Sequence, residues 1–249
     1  MLHAFGDGSI FGEVFGTRPP RVLALHGWGR TSADFHTVLK GLDAIAADLP
    51  GFGASPPPPR AWGAADYATA LQPTLAACAT PVIVVGHSFG GRVAVHLGAT
   101  HPDLIHGLVL TGVPLLRPQG PSAKSPRRFR LAKRLHALGL LSDEQMEVRR
   151  RRSGSANYRA ASGVMREVLV RAIAEDYREQ LGALTCPVEL VWGQNDTAAP
   201  VSMAEEAASL LGPLARLSVL PGVGHDTLAE APGAVRAAID AQLDRPWRR

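Results

Sequence analysis

Short apolar runs separated by helical spacing set the rhythm of this chain. Val22–Leu25 and Val82–Val85 are unbroken apolar runs, as expected of strands covered on both faces, and Ala44–Ala47, Leu108–Leu110, Val188–Trp192 and Leu217–Leu220 are further strand candidates. Ile10–Phe15 alternates well enough for an early strand, with Gly6-Asp7-Gly8 as the turn before it. Between these runs lie helical patterns. Phe35, Val38, Leu39 and Leu42 recur at helical spacing behind a Thr31 or Ser32 cap. Ala64–Ala77 is predicted helical, with Pro73 bending or ending it. Arg92–Ala99, Val201–Leu211 and a stretch near Pro232–Leu243 complete the set. Strands separated by helices predict an α/β fold with a mainly parallel sheet covered on both faces.

The rhythm stops between about 114 and 182. Pro118, Pro121 and Pro126 break its start, and helical stretches then follow over 129–141, 142–152, 158–169 and 171–181 with no obvious strand. The expected organisation is therefore a core of residues 1–113 and 183–249, with an all-helical insertion at 114–182. Leu131, Leu135, Leu138 and Leu141 supply an apolar stripe in that insertion.

Composition narrows the class. A chain of 249 residues with 46% hydrophobic and 19% charged residues suits one large globular unit. No apolar run approaches the ~20 residues of a membrane span. The opening residues, Met1–Gly8, lack a basic stretch followed by an apolar one, so no signal peptide is expected and a cytoplasmic location follows. Cys78 and Cys186 are read as free thiols rather than a disulfide or metal pair. Charge is uneven: Lys124–Arg152 holds ten Lys/Arg against three acids, a net of +7 in a chain of +4, so the remainder is −3. Arg149–Arg152 read first as solvated charges, and otherwise as a seat for an anionic substrate or an acidic partner. Arg149–Arg152 come without an aromatic platform, so nucleic acid is not an expected partner.

The chemistry sits at strand ends, where open α/β sheets place their ligands. Gly86-His87-Ser88-Phe89-Gly90 is a G-x-S-x-G turn between a strand and a helix, with glycines where side chains would collide around a strained serine. The helix starting after Ser88 aims free N–H groups at negative charge forming near its hydroxyl. Asp196 follows the strand 188–192 within Gly193-Gln194-Asn195-Asp196, and His225 follows the strand 217–220 within Pro221-Gly222-Val223-Gly224-His225-Asp226. The chain order Ser, Asp, His is the one used when a serine triad is built on such a sheet. Thr111-Gly112 after the preceding strand carries no acid to compete with Asp196. His26 is read as shaping its loop, His87 as a packing residue, Asp48 as tying down its own Gly-rich loop, and Asp226 as pointing away from the site.

With His26-Gly27-Trp28-Gly29, Asp48-Leu49-Pro50-Gly51-Phe52-Gly53, Gly86–Gly91, Gly193–Asp196 and Gly224-His225 in this order, the chain resembles a capped, esterase-like α/β-hydrolase over nearly its whole length. The resemblance implies an eight-stranded, mainly parallel sheet with helices on both faces and the insertion as a cap. It also implies Ser88 as nucleophile, Asp196 as acid, His225 as base and the backbone N–H groups of Trp28 and Phe89 as oxyanion hole. Trp28, Phe89, Leu135 and Leu138 are then the expected substrate contacts. The expected activity is hydrolysis of a carboxylic ester, a small molecule, through an acyl-enzyme, with neither cofactor nor metal. Transfer to another acyl acceptor, cleavage of a carrier-protein-linked ester and a ligand-binding protein on the same scaffold are the alternatives. Haloalkane dehalogenases and epoxide hydrolases carry aspartate where Ser88 stands. Carbon–carbon bond hydrolases carry an aromatic residue where Asp226 stands. The shared His-Gly-Trp loop is similar to that of pimeloyl-carrier methyl-ester esterases.

Overall fold

The computed structural model describes residues 2–6, 8–117, 136, 141, 142, 144, 145 and 156–247. Eight strands form one sheet: β1 (Leu2–Phe5), β2 (Ile10–Phe15), β3 (Val22–Leu25), β4 (Ala44–Asp48), β5 (Val82–His87), β6 (Ile105–Thr111), β7 (Val188–Gly193) and β8 (Ala215–Leu220). Their order is β1-β2-β4-β3-β5-β6-β7-β8. From β4 to β8 all neighbours are parallel, while β1 and β2 form an antiparallel hairpin on the β4 edge. The α/β-hydrolase fold expected from the motifs is the fold observed. Sequence patterning missed β1, whose residues are mostly exposed and lack alternation.

The strands alternate in what they bury. Leu23, Leu25, Val84, Leu108 and Leu190 face one core layer, under the helices Ala64–Ala70, Phe89–Thr100 and Val201–Leu211. Val22, Ala24, Ile83, Val85, Val109 and Val191 face the other, against Phe35, Val38, Val235 and Ile239. A strand buried on both faces has no polar side to show, hence the unbroken apolar runs.

Helices Val201–Leu211 and Pro232–Leu243 run as the patterning predicts. The helix expected over 64–77 is two, Ala64–Ala70 and Gln72–Ala76, with Pro73 in the first turn of the second, where its missing N–H costs nothing. Behind Thr31, whose side chain accepts from the Ala33 N–H, comes a 3₁₀ turn (Ser32–Phe35) and then one α turn (His36–Leu39).

Between β6 and β7 the described residues contain helices Ala156–Ala160, Gly163–Ala174 and Arg178–Ala183 and no strand. Patterning expected two helices here. Gly163, at φ +49, opens the second, and Glu175 leaves the helical region at ψ 150 before the third. The helices expected over 129–141 and 142–152 fall largely outside the described residues. Of the described helices, none is long and apolar enough to cross a membrane.

After β4 on one side of β3, the chain returns to place β5 on the other. That reversal opens a crevice at the carboxyl ends of β3 and β5, the place where open α/β sheets bind ligands.

Candidate active site

Ser88 follows β5 at φ 49, ψ −111, the one non-glycine residue at positive φ among the described residues. Such a conformation costs about 1–3 kcal/mol and persists only where the surroundings impose it. Here the glycines allow it. A Cβ on Gly86 would lie 2.4 Å from Gly91 Cα, and one on Gly90 only 2.1 Å from the Leu25 carbonyl oxygen. The turn is locked at both ends: Ser88 N–H donates to the Thr111 carbonyl (3.0 Å) and Gly90 N–H to the His26 carbonyl (3.0 Å).

Residues far apart in sequence meet at this serine. His225 Nε2 lies 3.1 Å from Ser88 Oγ, and His225 Nδ1 lies 2.7 Å from Asp196 Oδ2. Asp196 is buried, and its other oxygen accepts from the N–H groups of Ala198 and Ala199, both at 2.8 Å. Burial alone would raise its carboxyl. The His225 hydrogen bond and the Ala199 and Ala198 donors outweigh burial and hold it below the ordinary carboxylate range. An ionised carboxylate only accepts, so His225 Nδ1 carries the proton and Nε2 is left as the acceptor for the Ser88 hydroxyl. The arrangement can therefore take a proton from Ser88.

The loop after β3 closes the other side. His26 is fully buried, with its Nδ1 on the Gly27 carbonyl (2.7 Å) and its Nε2 accepting from Leu49 N–H (2.9 Å). Burial lowers its pKa, the Gly27 bond opposing, so the ring bridges two loops as a neutral group. Asp48 binds its own loop through Ala54 N–H (2.9 Å) and also reaches Ser32 N–H (2.7 Å). Gly27 lies against the elbow: a Cβ there would be 3.4 Å from Ser88 Cβ. Among the described residues, the backbone N–H groups of Trp28 and Phe89 make no hydrogen bond.

Around Ser88 is a cavity of about 140 Å³. It is lined by Gly27, Trp28 and Arg30 after β3, by His87 and Ser88 of the elbow, by His225 and Asp226 after β8, and by Asn157 of the helix Ala156–Ala160. Trp28 thus lines the cavity. The Phe89 ring, 4% exposed, is not among the lining residues. It packs edge-on to Tyr67, Trp28 and Phe52, with centroids 5.1, 5.4 and 6.2 Å away. Leu135 and Leu138, and the basic run 149–152, lie outside the described residues.

Two placements differ from the sequence reading. His87 does not merely pack; its Nε2 lies 3.0 Å from the His225 carbonyl oxygen. Asp226 lines the cavity and pairs with Arg30 (3.1 Å), which also holds Asp34 (2.5 Å). Arg30 and Asn157 were not singled out at all. Arg30 had one signal, its place directly after the His-Gly-Trp-Gly stretch; Asn157 had none.

Sheet order, strained elbow and crevice are those of an α/β-hydrolase. Residues 22–238 match the model of the alpha/beta hydrolase family, and the chain belongs to that family. It is 42% identical over 100 residues to lipase LipV of Mycobacterium tuberculosis, a stretch that covers 37% of this chain and only 36% of that protein. It is 30% identical over 241 residues to a pimeloyl-[acyl-carrier protein] methyl ester esterase of Aromatoleum aromaticum, covering 83% of this chain and 91% of the other. Among solved structures, a thermophilic esterase from Thermogutta terrifontis superposes with a TM-score of 0.69 at 26% identity over 98% of each chain.

Proposed function

We propose that this protein is a serine hydrolase that cleaves carboxylic esters through an acyl-enzyme on Ser88. The observation that carries this reading is the unbroken line from Asp196 Oδ2 through the His225 ring to Ser88 Oγ, at 2.7 and 3.1 Å. His225 takes the hydroxyl proton as Oγ attacks the ester carbonyl carbon, and then gives it to the leaving alkoxide as the tetrahedral intermediate collapses. In the second half, His225 activates water in the same way and returns the proton to Ser88. Asp196 keeps the ring in the competent tautomer and stabilises the imidazolium between the two transfers. The Trp28 and Phe89 N–H groups receive the oxyanion; each such donor is worth about 10²–10³ in rate.

Residues 114–182 serve as the cap. Asn157 brings this segment to the cavity, and the segment is fastened to the core by Arg92. That buried guanidinium donates to the Pro114 carbonyl (3.1 Å) and to the Ala172 carbonyl. The Aromatoleum relative is named for a carrier-linked methyl ester, and this supports testing a small alcohol as leaving group alongside aryl esters.

The test is turnover of a p-nitrophenyl ester series with Ser88→Ala as control. Burst release of p-nitrophenol, abolished in S88A, is the expected result. Absence of activity at every chain length would favour a ligand-binding protein instead.

A further inference from the structure

His87 is the last residue of β5 and stands directly before Ser88, yet its ring does not point into the hydrocarbon of the sheet. Only 3% exposed, it forms part of the wall of the cavity around Ser88. Its Nε2 lies 3.0 Å from the His225 backbone oxygen. A carbonyl oxygen only accepts, so His87 Nε2 is the donor and carries a proton. Burial lowers the pKa of this ring, with the His225 bond opposing, so it is neutral and its Nδ1 is a bare acceptor. That Nδ1 has no donor among the described residues. It rests instead against the backbone of Gly27, where a Cβ would come within 2.8 Å of it.

A buried acceptor without a donor is a cost that an aliphatic side chain in the same space would not carry. What histidine supplies in return is the bond from Nε2. Its recipient is the residue that must hold its place most closely. His225 sits in a connecting segment after β8, its side chain 34% exposed, and reaches Ser88 across 137 residues of sequence. Consecutive residues of the elbow thus grip it at two points: Ser88 meets the ring at Nε2, and His87 holds the backbone oxygen. The rings of His87 and His225 are 5.2 Å apart.

We propose that His87 is a positioning residue, which fixes the backbone of His225 relative to Ser88 through its Nε2–H bond and seats the Gly27–Trp28 loop against its opposite edge. This rests on the reading of Ser88 and His225 as nucleophile and base. The base is then referenced to the strand that carries the nucleophile, and the ring can pass a proton between Ser88 and the leaving group without displacement of its own backbone.

Two amides of different reach test this. Glutamine places its amide nitrogen near the position of His87 Nε2, and asparagine near that of Nδ1. Steady-state p-nitrophenyl ester kinetics are measured for wild type, H87Q, H87N and S88A, with thermal melts of each. H87N is expected to lower kcat by about 10- to 10²-fold with KM within about twofold, since a misplacement of order 1 Å at the base acts on the chemical step. H87Q is expected to stay within about threefold of wild type. Equal loss in the two variants, or a change carried by KM alone, would overturn the proposal. Should H87N not fold, ¹⁵N-histidine spectra of the wild-type protein decide: His87 must be the Nε2–H tautomer, and the Nδ1–H tautomer contradicts it. Ester turnover that survives in S88A, or is missing in wild type, would instead defeat the proposed function and leave the tautomer result standing.

Discussion

The two halves of the site are built by different physics. The elbow at 86–91 is shaped by what is missing: no Cβ fits at Gly86 or Gly90, and those gaps allow Ser88 its φ of 49. The arm of Asp196 and His225 is shaped by bonds between distant segments, Asp196 to His225 across 29 residues and His225 to the elbow across 137 and 138. A steric constraint of the first kind is local and leaves a spacing in the sequence. A bonding constraint of the second kind leaves only an acid and a histidine after the right strands.

Each half can be broken in turn, and the largest effect falls on the bonded half. Asp196→Asn keeps an oxygen for the Ala198 and Ala199 N–H groups but can no longer accept from His225 Nδ1–H. The ring then takes the wrong tautomer. A loss of about 10⁴ in kcat is expected, with a melting temperature close to wild type. A drop of less than about tenfold would show that the bonded arm does not govern the chemistry.

On the steric half, Gly90→Ala forces a methyl to 2.1 Å from the Leu25 carbonyl oxygen and 2.7 Å from that of His26. Overpacking against backbone costs about 1–3 kcal/mol, which is roughly 2–12 °C in a chain of this size at about 2–4 °C per kcal/mol. Gly233, in the helix Pro232–Leu243, has open space around it, with nothing within 4 Å of where a Cβ would stand. Gly233→Ala should therefore hold or raise the melting temperature. Melting curves that do not separate the two variants would remove the steric account of the elbow.

The smallest effect is a pH slope. Burial keeps His26 and His87 below the ordinary histidine value in the folded protein. Below about pH 6.5 the unfolded chain takes up protons that these rings refuse. Stability is thus complete above that pH and falls as pH drops, by up to about 1.4 kcal/mol per pH unit for each ring. Asp196, held below the usual carboxylate range, adds its loss at lower pH, beginning near about pH 4. Urea unfolding at pH 7.5 and 5.5 measures the histidine window, and equal midpoints would contradict it.

The same contrast explains how much of this molecule could be read from the chain. The apolar strands at 22–25 and 82–85, the helices Val201–Leu211 and Pro232–Leu243, and the strand-end places of Ser88, Asp196 and His225 follow from periodicity, glycine spacing and strand order. β1 escaped because it is held by pairing with β2 rather than by any pattern of its own. His87 reads as a packing residue in the sequence because its partner is a backbone oxygen 138 residues away. Asp226 reads as pointing away from the site because it adjoins His225 in sequence; it pairs instead with Arg30 on the cavity wall. Asn157 comes from the stretch between β6 and β7, where no sequence motif ties the helix Ala156–Ala160 to the sheet.

Covalent labelling reaches the central claim most directly. Incubation with a fluorophosphonate, followed by intact-mass and peptide mass spectrometry, should show a single adduct on Ser88, none in S88A, and slowed formation in Asp196→Asn. An adduct on another residue, or undiminished labelling without the Ser88 hydroxyl, would contradict the account.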